Sequence, residues 1–249
     1  MTTNPLFSII TVTLDNLNGL KKTHQSIELQ SFDNYEWIVI DGESQDGTVN
    51  FLETIKANYI SEKDNGIYDA MNKGIARANG QYLIFMNAGD ALESKNTLNE
   101  IAERLKDQSY DFLYGDSAEK VGEQIYFKRA RLHYKITEGM FTHHQAMIYS
   151  KKMLDDICYY TNYKIAADYD LTWNVLNKST DILYLPFPIC LFESGGVSQK
   201  QVMTGRKEQF KIRQSHGVFR FNNIWIFIKQ SLVYGLRCIA PKLYWLLKR

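Results

Sequence analysis

The sequence QYLIFMNAGD, residues 81–90, joins an apolar segment to a cluster of polar residues. The run Tyr82–Met86 is apolar throughout, which is typical of a strand buried inside a sheet. In open α/β sheets, ligands bind beyond the carboxyl ends of the strands, where Asn87, Gly89 and Asp90 follow. A carboxylate beside a glycine can reach a divalent cation there, because the glycine lets the backbone approach closely. The same residue types favour turns, so a plain turn is the alternative interpretation.

Strand-like segments alternate with helical patterns through the first 107 residues. The apolar runs lie at residues 7–13, 35–42, 59–62 and 81–86, and the helical patterns at 17–30, 47–58, 66–79 and 97–107. This alternation predicts an α/β fold with a mainly parallel central sheet flanked by helices. Beyond Asp111 the predicted strands have antiparallel potential, with shorter helices at 151–157 and 166–178. We expect one domain over 1–220, with a nucleotide-binding half (1–115) and an acceptor-binding half (116–220).

The composition indicates a folded chain whose charge is divided unevenly. With 249 residues, 45% of them hydrophobic, the chain can build a large core, which excludes overall disorder. Residues 200–249 hold eleven Lys or Arg and one acid, Glu208, a net charge of +10. The other 199 residues carry 18 basic and 27 acidic side chains, a net charge of −9. This separation predicts a tail with a task different from that of the body.

Cysteine usage and the amino-terminal residues both indicate the cytoplasm. Cys158, Cys190 and Cys238 are odd in number and widely spaced, so we expect reduced, buried thiols rather than disulfides or a zinc site. Residues 1–12 lack a basic segment, and their apolar run is too short for a signal peptide. The catalytic body is therefore expected to stay in the cytoplasm.

The ends of the other predicted strands also carry polar clusters. Asp15 follows the first strand and DGESQDGT, residues 41–48, the second, so both bring carboxylates to one sheet edge. Asp41 can accept a hydrogen bond from a base N–H or a ribose hydroxyl, whereas Asp46–Thr48 also fits a simple turn and helix cap. Residues 61–75 place Asp69 near a predicted helix amino end, where phosphate is favoured. A solvated helix start is the alternative for this last segment.

Five ordered motifs resemble one enzyme family. They are FSIITVTLDN (7–16), WIVIDGESQDGT (37–48), EKDNGIYDAMNKGI (62–75), FMNAGD (85–90) and AADYDL (166–171). Their order and spacing resemble the GT-A fold glycosyltransferases of family 2, especially bacterial enzymes that assemble surface polysaccharides such as O-antigen, capsule and exopolysaccharide. The resemblance implies a Rossmann-like nucleotide-binding half. It also implies inverting transfer of a hexose from a nucleotide diphosphate sugar, with UDP expected, to a saccharide on a polyprenyl diphosphate carrier.

The resemblance also assigns roles to individual residues. The base and ribose pocket of the donor would be lined by Thr13, Asp15, Asp41 and Ser44. The ribose and diphosphate region would be shaped by Asp64, Gly66, Asp69, Asn72 and Lys73. Asn87, Ala88 and Asp90 occupy the place of the family's DxD-type element, whose last acid coordinates Mn²⁺ or Mg²⁺. Here Asn87 replaces the first acid of that element, which leaves one strong metal ligand.

Asp168 matches the catalytic base of the family's acidic pair. Many relatives carry Glu-Asp at this point, whereas this chain has Ala167-Asp168 and keeps the aspartate. Inverting transfer needs one carboxylate that deprotonates the acceptor hydroxyl as this oxygen attacks the anomeric carbon. Asp170, two residues later, is the alternative base or a structural acid. His143 and His144 form a pair with either a binding or a structural role, and Gln145 is a candidate sugar contact.

The tail, residues 221–249, mixes apolar and aromatic side chains with Lys and Arg. Lys229 and Arg237 interrupt the apolar run and Pro241 breaks it, so an in-plane amphipathic helix fits better than a transmembrane span. The basic charge would be attracted to anionic lipid on the inner face of the inner membrane. A helical hairpin packed on the core, or an oligomer contact, is the alternative. Interleaved charges argue against nucleic acid.

Three other functions are alternatives to this glycosyltransferase interpretation. A sugar-phosphate nucleotidylyltransferase would need a Gly-rich, Arg-containing loop after the first strand, where this chain has Thr13-Leu14-Asp15-Asn16. Dinucleotide-dependent oxidoreductases would need GxGxxG, which is absent. The remaining rival is a degenerate donor-binding scaffold of a membrane assembly complex, supported by the acids lost at Asn87 and Ala167. The donor sugar, the linkage and the oligomeric state are not defined by these patterns.

Overall fold

The computed structural model describes residues 4–193 and 195–240, and a nine-stranded mixed sheet forms the centre of that part of the chain. The strands are β1 (Phe7–Thr13), β2 (Tyr35–Asp41), β3 (Asn58–Ser61), β4 (Tyr82–Phe85), β5 (Ala91–Leu92), β6 (Phe112–Val121), β7 (Gln124–Lys128), β8 (Met147–Ser150) and β9 (Ile182–Glu193). Their order across the sheet is β3-β2-β1-β4-β8-β6-β9-β5, and β7 pairs with β6.

Helices pack against the sheet, and further helices follow its last strand in the sequence. They are α1 (Leu17–Glu28), α2 (Thr48–Thr54), α3 (Ile67–Arg77), α4 (Thr97–Leu105), α5 (Lys151–Asp156), α6 (Ala167–Lys178), α7 (Val197–Lys200), α8 (Val202–Ser215) and α9 (Arg220–Ile239). Two 3-10 segments, His133–Glu138 and His144–Ala146, precede β8. The mixed α/β architecture with a carboxyl-terminal helical tail confirms the predicted fold class.

The first four strands are parallel, as the sequence predicts. β1 is paired with β2 and β4, and β2 with β3, all in parallel register. Every residue of β1 is buried, which explains why its sequence is apolar on both faces. Because all four strands run in one direction, the segments after Thr13, Asp41, Ser61 and Phe85 leave the sheet at the same edge.

The second half of the sheet contains the antiparallel pairs. β8 lies antiparallel between β4 and β6, and β9 runs parallel to β6. The β6–β9 register shifts around Asp116, where Gly115 lets β9 pack closely. A Cβ on Gly115 would stand 2.5 Å from Ile189 Cγ1, so a larger residue would clash. Because β8 pairs with β4, the 3-10 segment His144–Ala146, which directly precedes β8, lies beside the end of β4.

Hydrophobic clusters fill both faces of the sheet. One face packs Ile10, Phe85 and Tyr149 against side chains from α3, α5 and α6. The opposite face packs Phe7 and Ile84 with residues of α1 and α4. Alternate residues of each strand therefore enter different cores, which is why the central strands read as continuous apolar runs.

Some sequence expectations differ from the structure. The thiols are free as expected, but Cys158 and Cys238 are exposed and only Cys190 is buried, because the first two lie in a loop and on α9. The helix α8 and the two-residue strand β5 had no counterpart in the sequence interpretation. Pro241 and the apolar and basic residues at 242–249 lie outside the described residues.

Candidate active site

The loops after β1 and β2 are held together by hydrogen bonds. Asp15 N donates to Ser44 Oγ over 2.8 Å, and Gln45 N donates to Asp15 Oδ1 over 2.7 Å. Gly42 N extends the strand pairing by donating to Thr13 O at 2.9 Å. Asp15 has a φ of 46°, a left-handed conformation that aspartate tolerates better than most side chains. The structure therefore brings Thr13, Asp15 and Ser44 together at the edge, as the sequence predicts.

Asp41 ties three strand ends together. It is fully buried at the end of β2. Its carboxylate accepts hydrogen bonds from Ser44 N at 3.0 Å, from Ser44 Oγ, and from Ser61 Oγ at 2.6 Å. These donors compensate the cost of burying the carboxylate. Near it, the Thr13 hydroxyl is buried without a hydrogen-bond partner among the described residues, so it has unused capacity toward a ligand.

The carboxyl ends of β1 to β4 border a crevice. The loop between β3 and α3 lies at this crevice, next to the loops that follow β1 and β2. Asp64 packs against the end of β2, since a Cβ on Gly42 would stand 2.8 Å from Asp64 Oδ2. Asp64 Oδ1 accepts from Gly66 N at 2.9 Å, and Asp69 Oδ2 accepts from Asn65 N at 2.9 Å. Gly66 has a φ of 116°, a value that favours glycine. Asp64 and Asp69 thus fix the backbone of the turn that leads into α3.

Asn72 and Lys73 are engaged in contacts within the protein. Asn72 Nδ2 donates to Tyr159 O at 2.9 Å, and Asn72 Oδ1 accepts from Tyr159 N at 2.9 Å. Lys73 Nζ forms an ion pair with Glu62 at 2.9 Å and donates to Lys63 O at 3.0 Å. Both polar groups of Asn72 are therefore used to hold the loop around Tyr159.

The NAGD turn after β4 is fixed to β1 and α1. Ala88 N donates to Val12 O at 3.2 Å, and Asn16 Nδ2 donates to Ala88 O at 3.0 Å. Gly89 N donates to Thr23 Oγ1 at 3.0 Å, and this hydroxyl donates to Asp90 O at 2.6 Å. These contacts give the turn one conformation at the edge where β1 and β2 also end.

Asp90 is a buried junction between three segments. Its Oδ2 accepts from Gln145 Nε2 at 2.7 Å, and its Oδ1 accepts from Glu193 N at 2.9 Å at the end of β9. Burial raises the pKa of Asp90 to about 7, although both hydrogen bonds and the charge of Lys22 oppose this shift. The sequence identified Asp90, but it did not indicate that Gln145 and β9 meet there.

The oxygen atoms around this turn suit a hard cation held largely by a ligand's phosphates. Glu193 lies over Gly89, with Oε2 3.0 Å from the position that a Cβ would take. Asn87 Oδ1 is buried without a hydrogen-bond partner within the described residues. No cluster of three or more His, Cys, Asp or Glu able to hold a metal occurs in residues 4–193 and 195–240. Mg²⁺ commonly uses one or two carboxylates plus substrate phosphates, a mode that Asp90 would fit, with Glu193 joining it once released from Lys22, whose Nζ lies 3.0 Å from Glu193 Oε2.

The two neighbouring histidines occupy different environments. His144 is buried, its Nε2 lies 2.8 Å from Tyr159 Oη, and its ring packs on Phe85. Burial lowers the pKa of His144 to about 3, so this imidazole is neutral. His143 stacks on Phe192 with ring centroids 4.3 Å apart. His144 therefore contributes to packing in the protein interior, whereas the neighbouring Gln145 binds Asp90.

Asp168 lies in the first turn of α6. Its half-buried carboxylate accepts from Tyr169 N at 2.8 Å, and Tyr68 Oη on α3 lies 3.4 Å from Oδ1. Tyr68 also donates to Ile165 O at 2.7 Å. Burial raises the pKa of Asp168 to about 6, which suits a general base near neutral pH.

Asp170, the alternative base, has a different set of contacts. Its Oδ1 lies 3.4 Å from His216 Nε2 on α8, and Asn174 Nδ2 approaches its Oδ2 at 3.4 Å. His216 also stacks on Trp173, with centroids 4.5 Å apart. These contacts give Asp170 a role in packing α6 against α8.

Sequence reasoning missed several residues that hold this site together through side-chain or backbone hydrogen bonds. They are Thr23, Ser61, Tyr68, Tyr159, Glu193 and Glu208. Tyr68 stood inside a quoted motif without a role. Glu208 was visible as the single acid in residues 200–249, a signal that could have identified it. The others carry no pattern that sets them apart from ordinary structural residues.

A parallel sheet edge that gathers aspartates, together with a separate half-buried carboxylate of raised pKa, is the arrangement of a nucleotide-dependent group-transfer enzyme. Residues 8–170 match the family model described as Glycosyl transferase family 2. The chain therefore belongs to that glycosyltransferase family, as its motifs predict.

Curated relatives support this membership. The chain is 38% identical over 109 residues to an uncharacterized glycosyltransferase of Mycobacterium tuberculosis, a match covering 42% of each chain. It is 31% identical over 178 residues to a PGL/p-HBAD biosynthesis glycosyltransferase of Mycobacterium bovis, covering 67% of this chain and 68% of the relative. A putative teichuronic acid biosynthesis glycosyltransferase of Bacillus subtilis is 31% identical, covering 44% and 46%. The first of these matches thus spans less than half of its relative.

Solved structures share the fold at low sequence identity. S. aureus TarS 1-349 in complex with UDP-GlcNAc superimposes with a TM-score of 0.70 and 19% identity, covering 83% of this chain and 64% of TarS. The mannosyltransferase PcManGT from Pyrobaculum calidifontis, in complex with GDP-Man and Mn²⁺, gives a TM-score of 0.66 and 14% identity, covering 96% and 77%. These likenesses confirm the GT-A fold.

Proposed function

We propose that this protein is an inverting hexosyltransferase that uses a nucleotide diphosphate sugar, with UDP as the expected nucleotide. The observation that carries the proposal is the half-buried Asp168, with a pKa raised to about 6, held by Tyr68 against the nucleotide-binding half. The acceptor is a saccharide on a polyprenyl diphosphate carrier in surface polysaccharide assembly. The name of the B. subtilis relative supports a polysaccharide product.

The donor occupies the crevice at the carboxyl ends of β1 to β4. Thr13, Asp15, Asp41 and Ser44 contact the base and ribose, and the unused Thr13 hydroxyl supports this assignment. Asp64, Gly66 and Asp69 border the ribose and diphosphate, with Asn87 and Ala88 beneath. Asn72 and Lys73 act on the donor indirectly, because their polar groups already hold Tyr159, Glu62 and Lys63.

The transfer step is a direct displacement at the anomeric carbon. Asp168 accepts the proton of the acceptor hydroxyl, and the freed oxygen pair attacks the anomeric carbon from the face opposite the nucleotide. The bond to the diphosphate breaks, and nucleoside diphosphate leaves with the electron pair. Tyr68 Oη donates to Ile165 O at 2.7 Å and lies 3.4 Å from Asp168 Oδ1, so it borders the base carboxylate while it holds the preceding backbone.

Asp90, with Glu193 beside it, would hold Mn²⁺ or Mg²⁺ together with the donor diphosphate. A divalent cation bound there supplies charge that stabilises the departing diphosphate. Gln145 and the backbone of Glu193 orient the Asp90 carboxylate for this purpose. The Mn²⁺ in the complex of PcManGT with GDP-Man supports a divalent cation as a cofactor.

The site of action is the inner face of the cell membrane, reached through the tail. In the described part of the chain no helix is long and apolar enough to cross a bilayer. α9 instead exposes a stripe of apolar side chains at helical spacing, namely Phe221, Ile224, Trp225, Ile228 and Leu232. Lys207 and Lys211 on α8 line a groove beside Phe227 of α9, which adds basic groups where α8 and α9 meet. This combination is typical of helices lying in the headgroup plane.

Turnover across a donor panel tests the activity. UDP- and GDP-linked hexoses are offered with a polyprenyl diphosphate monosaccharide and either Mn²⁺ or Mg²⁺, and nucleoside diphosphate release is measured. We expect acceptor-dependent release with one donor and a product of inverted anomeric configuration. A retained configuration would contradict the displacement step. Tight nucleotide binding without turnover for any pair would favour the scaffold alternative.

Membrane association is tested with paired substitutions on α9. The double variant Trp225→Ser/Leu232→Ser removes two side chains that are 64% and 70% exposed. We expect the wild type to float with liposomes containing anionic lipid and the variant to stay at the bottom. Phe127→Ser on β7, also 70% exposed, is the matched control and is expected to float. Equal flotation of all three proteins would refute a membrane role for α9.

A further inference from the structure

A carboxylate from α8 binds three consecutive backbone amides just before α6. Glu208 Oε1 accepts from Lys164 N at 2.9 Å, and Oε2 accepts from both Ile165 N and Ala166 N at 2.9 Å. Glu208 is 9% exposed, so these bonds are made away from solvent. Its sequence separation from the three amides, up to 44 residues, makes this a tertiary contact.

These bonds act as a cap on the segment that leads into α6, because they bind the amides of residues 164–166 just before its first turn. Its N-cap residue is Ala166, which has no side chain able to accept from the first turn. A negative carboxylate at the start of a helix also interacts favourably with the positive end of the helix dipole. Glu208 therefore fixes the start of α6, and Asp168 lies in that first turn.

Close packing positions α8 for this contact. A Cβ on Gly205 would stand 2.9 Å from Ile165 Cγ2, so α8 approaches the segment more closely than a larger residue would allow. Ile212, one turn after Glu208, is fully buried in the core that contains Tyr169. The helix α8 is therefore packed against the core both before Glu208, at Gly205, and after it, at Ile212. This packing gives the Glu208 carboxylate a defined position.

We infer that Glu208 is a positioning residue for the glycosyl transfer step, acting through residues 164–166 to set where Asp168 stands. The inference rests on the proposed role of Asp168 as the base. It assigns a function to the single acid in the basic carboxyl-terminal region. The same helix also packs against α9, for example through Phe210 and Phe227.

The charged and titratable groups around Asp168 define the expected pH effect. They are Tyr68 on α3, Tyr149 on β8, Tyr159 in the following loop, and Glu208 on α8. Burial of Asp168 is the main cause of its raised pKa, its hydrogen bonds with Tyr169 and Tyr68 lower the pKa, and the charge of Glu208 raises it further. Removing the charge of Glu208 therefore lowers the pKa of Asp168.

The test replaces Glu208 by glutamine in the full-length protein. The Gln amide nitrogen would face backbone N–H groups, so at least one side of the cap is lost. We expect Glu208→Gln to reduce kcat by about 10- to 100-fold, since small displacements of a catalytic group have effects of this size. The donor KM should change less than about twofold, and the acidic limb of the pH profile should move to lower pH.

Ile212→Ala is the stability control, because it loosens the packing of α8 in the core while keeping the Glu208 carboxylate and its charge. It is expected to lower the melting temperature while leaving the acidic limb in place. Unchanged kcat and an unmoved acidic limb in Glu208→Gln, with Asp168→Asn inactive, would overturn the inference and leave the proposed function intact. An active Asp168→Asn would instead overturn the assignment of the base.

Hydrogen exchange gives a second measurement, which can first be made on the wild type alone. In the wild type, the amides of Lys164, Ile165 and Ala166 should exchange slowly, because Glu208 binds all three. Their protection should be lost in Glu208→Gln and kept in Ile212→Ala. Rapid exchange of these amides in the wild type would overturn the inference even if Glu208→Gln fails to fold.

Discussion

The donor crevice and the segment that carries the base are held in different ways. On the β1–β3 side of the crevice, adjacent strand ends and the loops after them bind each other, as Asp15 does with Ser44 and Asp41 with Ser61, whereas Asp90 is held by the distant Gln145 and Glu193. Around the base, the contacts join distant parts of the chain. Tyr68 reaches Asp168 across 100 residues, and Asn72 reaches Tyr159 across 87.

This difference separates binding from catalysis. The crevice is set by the direction of the strands, so its residues arrive at one edge whenever the sheet forms. The base is positioned by α3 and α8, which must both pack correctly before Asp168 is in place. Changes in the crevice should therefore alter donor affinity, and changes around α6 should alter the chemical step. The following substitutions test this division.

The largest effect is expected for Asp168→Asn. The amide cannot accept the acceptor's proton, so kcat should fall by about 10²- to 10⁴-fold, the usual contribution of a general base. Donor affinity should stay near the wild-type value, because Asp168 lies outside the crevice. Nucleoside diphosphate release and nucleotide titration calorimetry measure the two quantities. A comparable loss of nucleotide affinity would show that base and crevice are not separate.

An intermediate effect is expected for Asp41→Ala. The substitution leaves Ser44 N and the hydroxyls of Ser44 and Ser61 without their acceptor, which should lower the free energy of unfolding by about 1–3 kcal/mol. Donor affinity should fall with it, since the base and ribose pocket loses its fixed shape. Thermal unfolding with and without nucleotide measures both effects. Gln45→Ala, exposed in the same loop, is the control and should bind nucleotide normally.

The smallest effect is expected for Tyr68→Phe, read from the pH profile. In the wild type, kcat/KM should fall about tenfold per pH unit below pH 6, because protonated Asp168 cannot act as a base. The hydrogen bond from Tyr68 lowers the pKa of Asp168, so its loss should move the acidic limb to higher pH. This shift is opposite to the one expected for Glu208→Gln.

Tyr159→Phe is the control for this substitution. Tyr159 stacks on Tyr68 with centroids 5.3 Å apart, but its hydroxyl faces His144. The acidic limb should therefore stay close to its wild-type position. A limb that moves equally in both variants would mean that the aromatic packing, and not the Tyr68 hydroxyl, controls the titration of Asp168.

The sequence anticipated the crevice better than the base segment. The strand β1 was predicted with the bounds Phe7–Thr13 that the structure has. The polar residues and the helix that follow it were predicted as well. Asp41, Ser44 and Asp90 were identified because strand ends attract turn-forming and acidic residues. Asn72 was assigned to the donor, whereas its amide holds Tyr159, because helical spacing does not reveal which distant loop a side chain meets.

The sequence alone therefore determined the α/β alternation, the parallel strand edge, the family and the candidate base. These features depend on local patterns, since strand direction and turn chemistry follow from short stretches of residues. The tertiary structure decided how Asp90 is held by Gln145 and Glu193, and how Glu208 fixes the start of α6. Such contacts join residues far apart in the chain, and only the packing of β8, β9 and α8 against the sheet brings their atoms within hydrogen-bond distance.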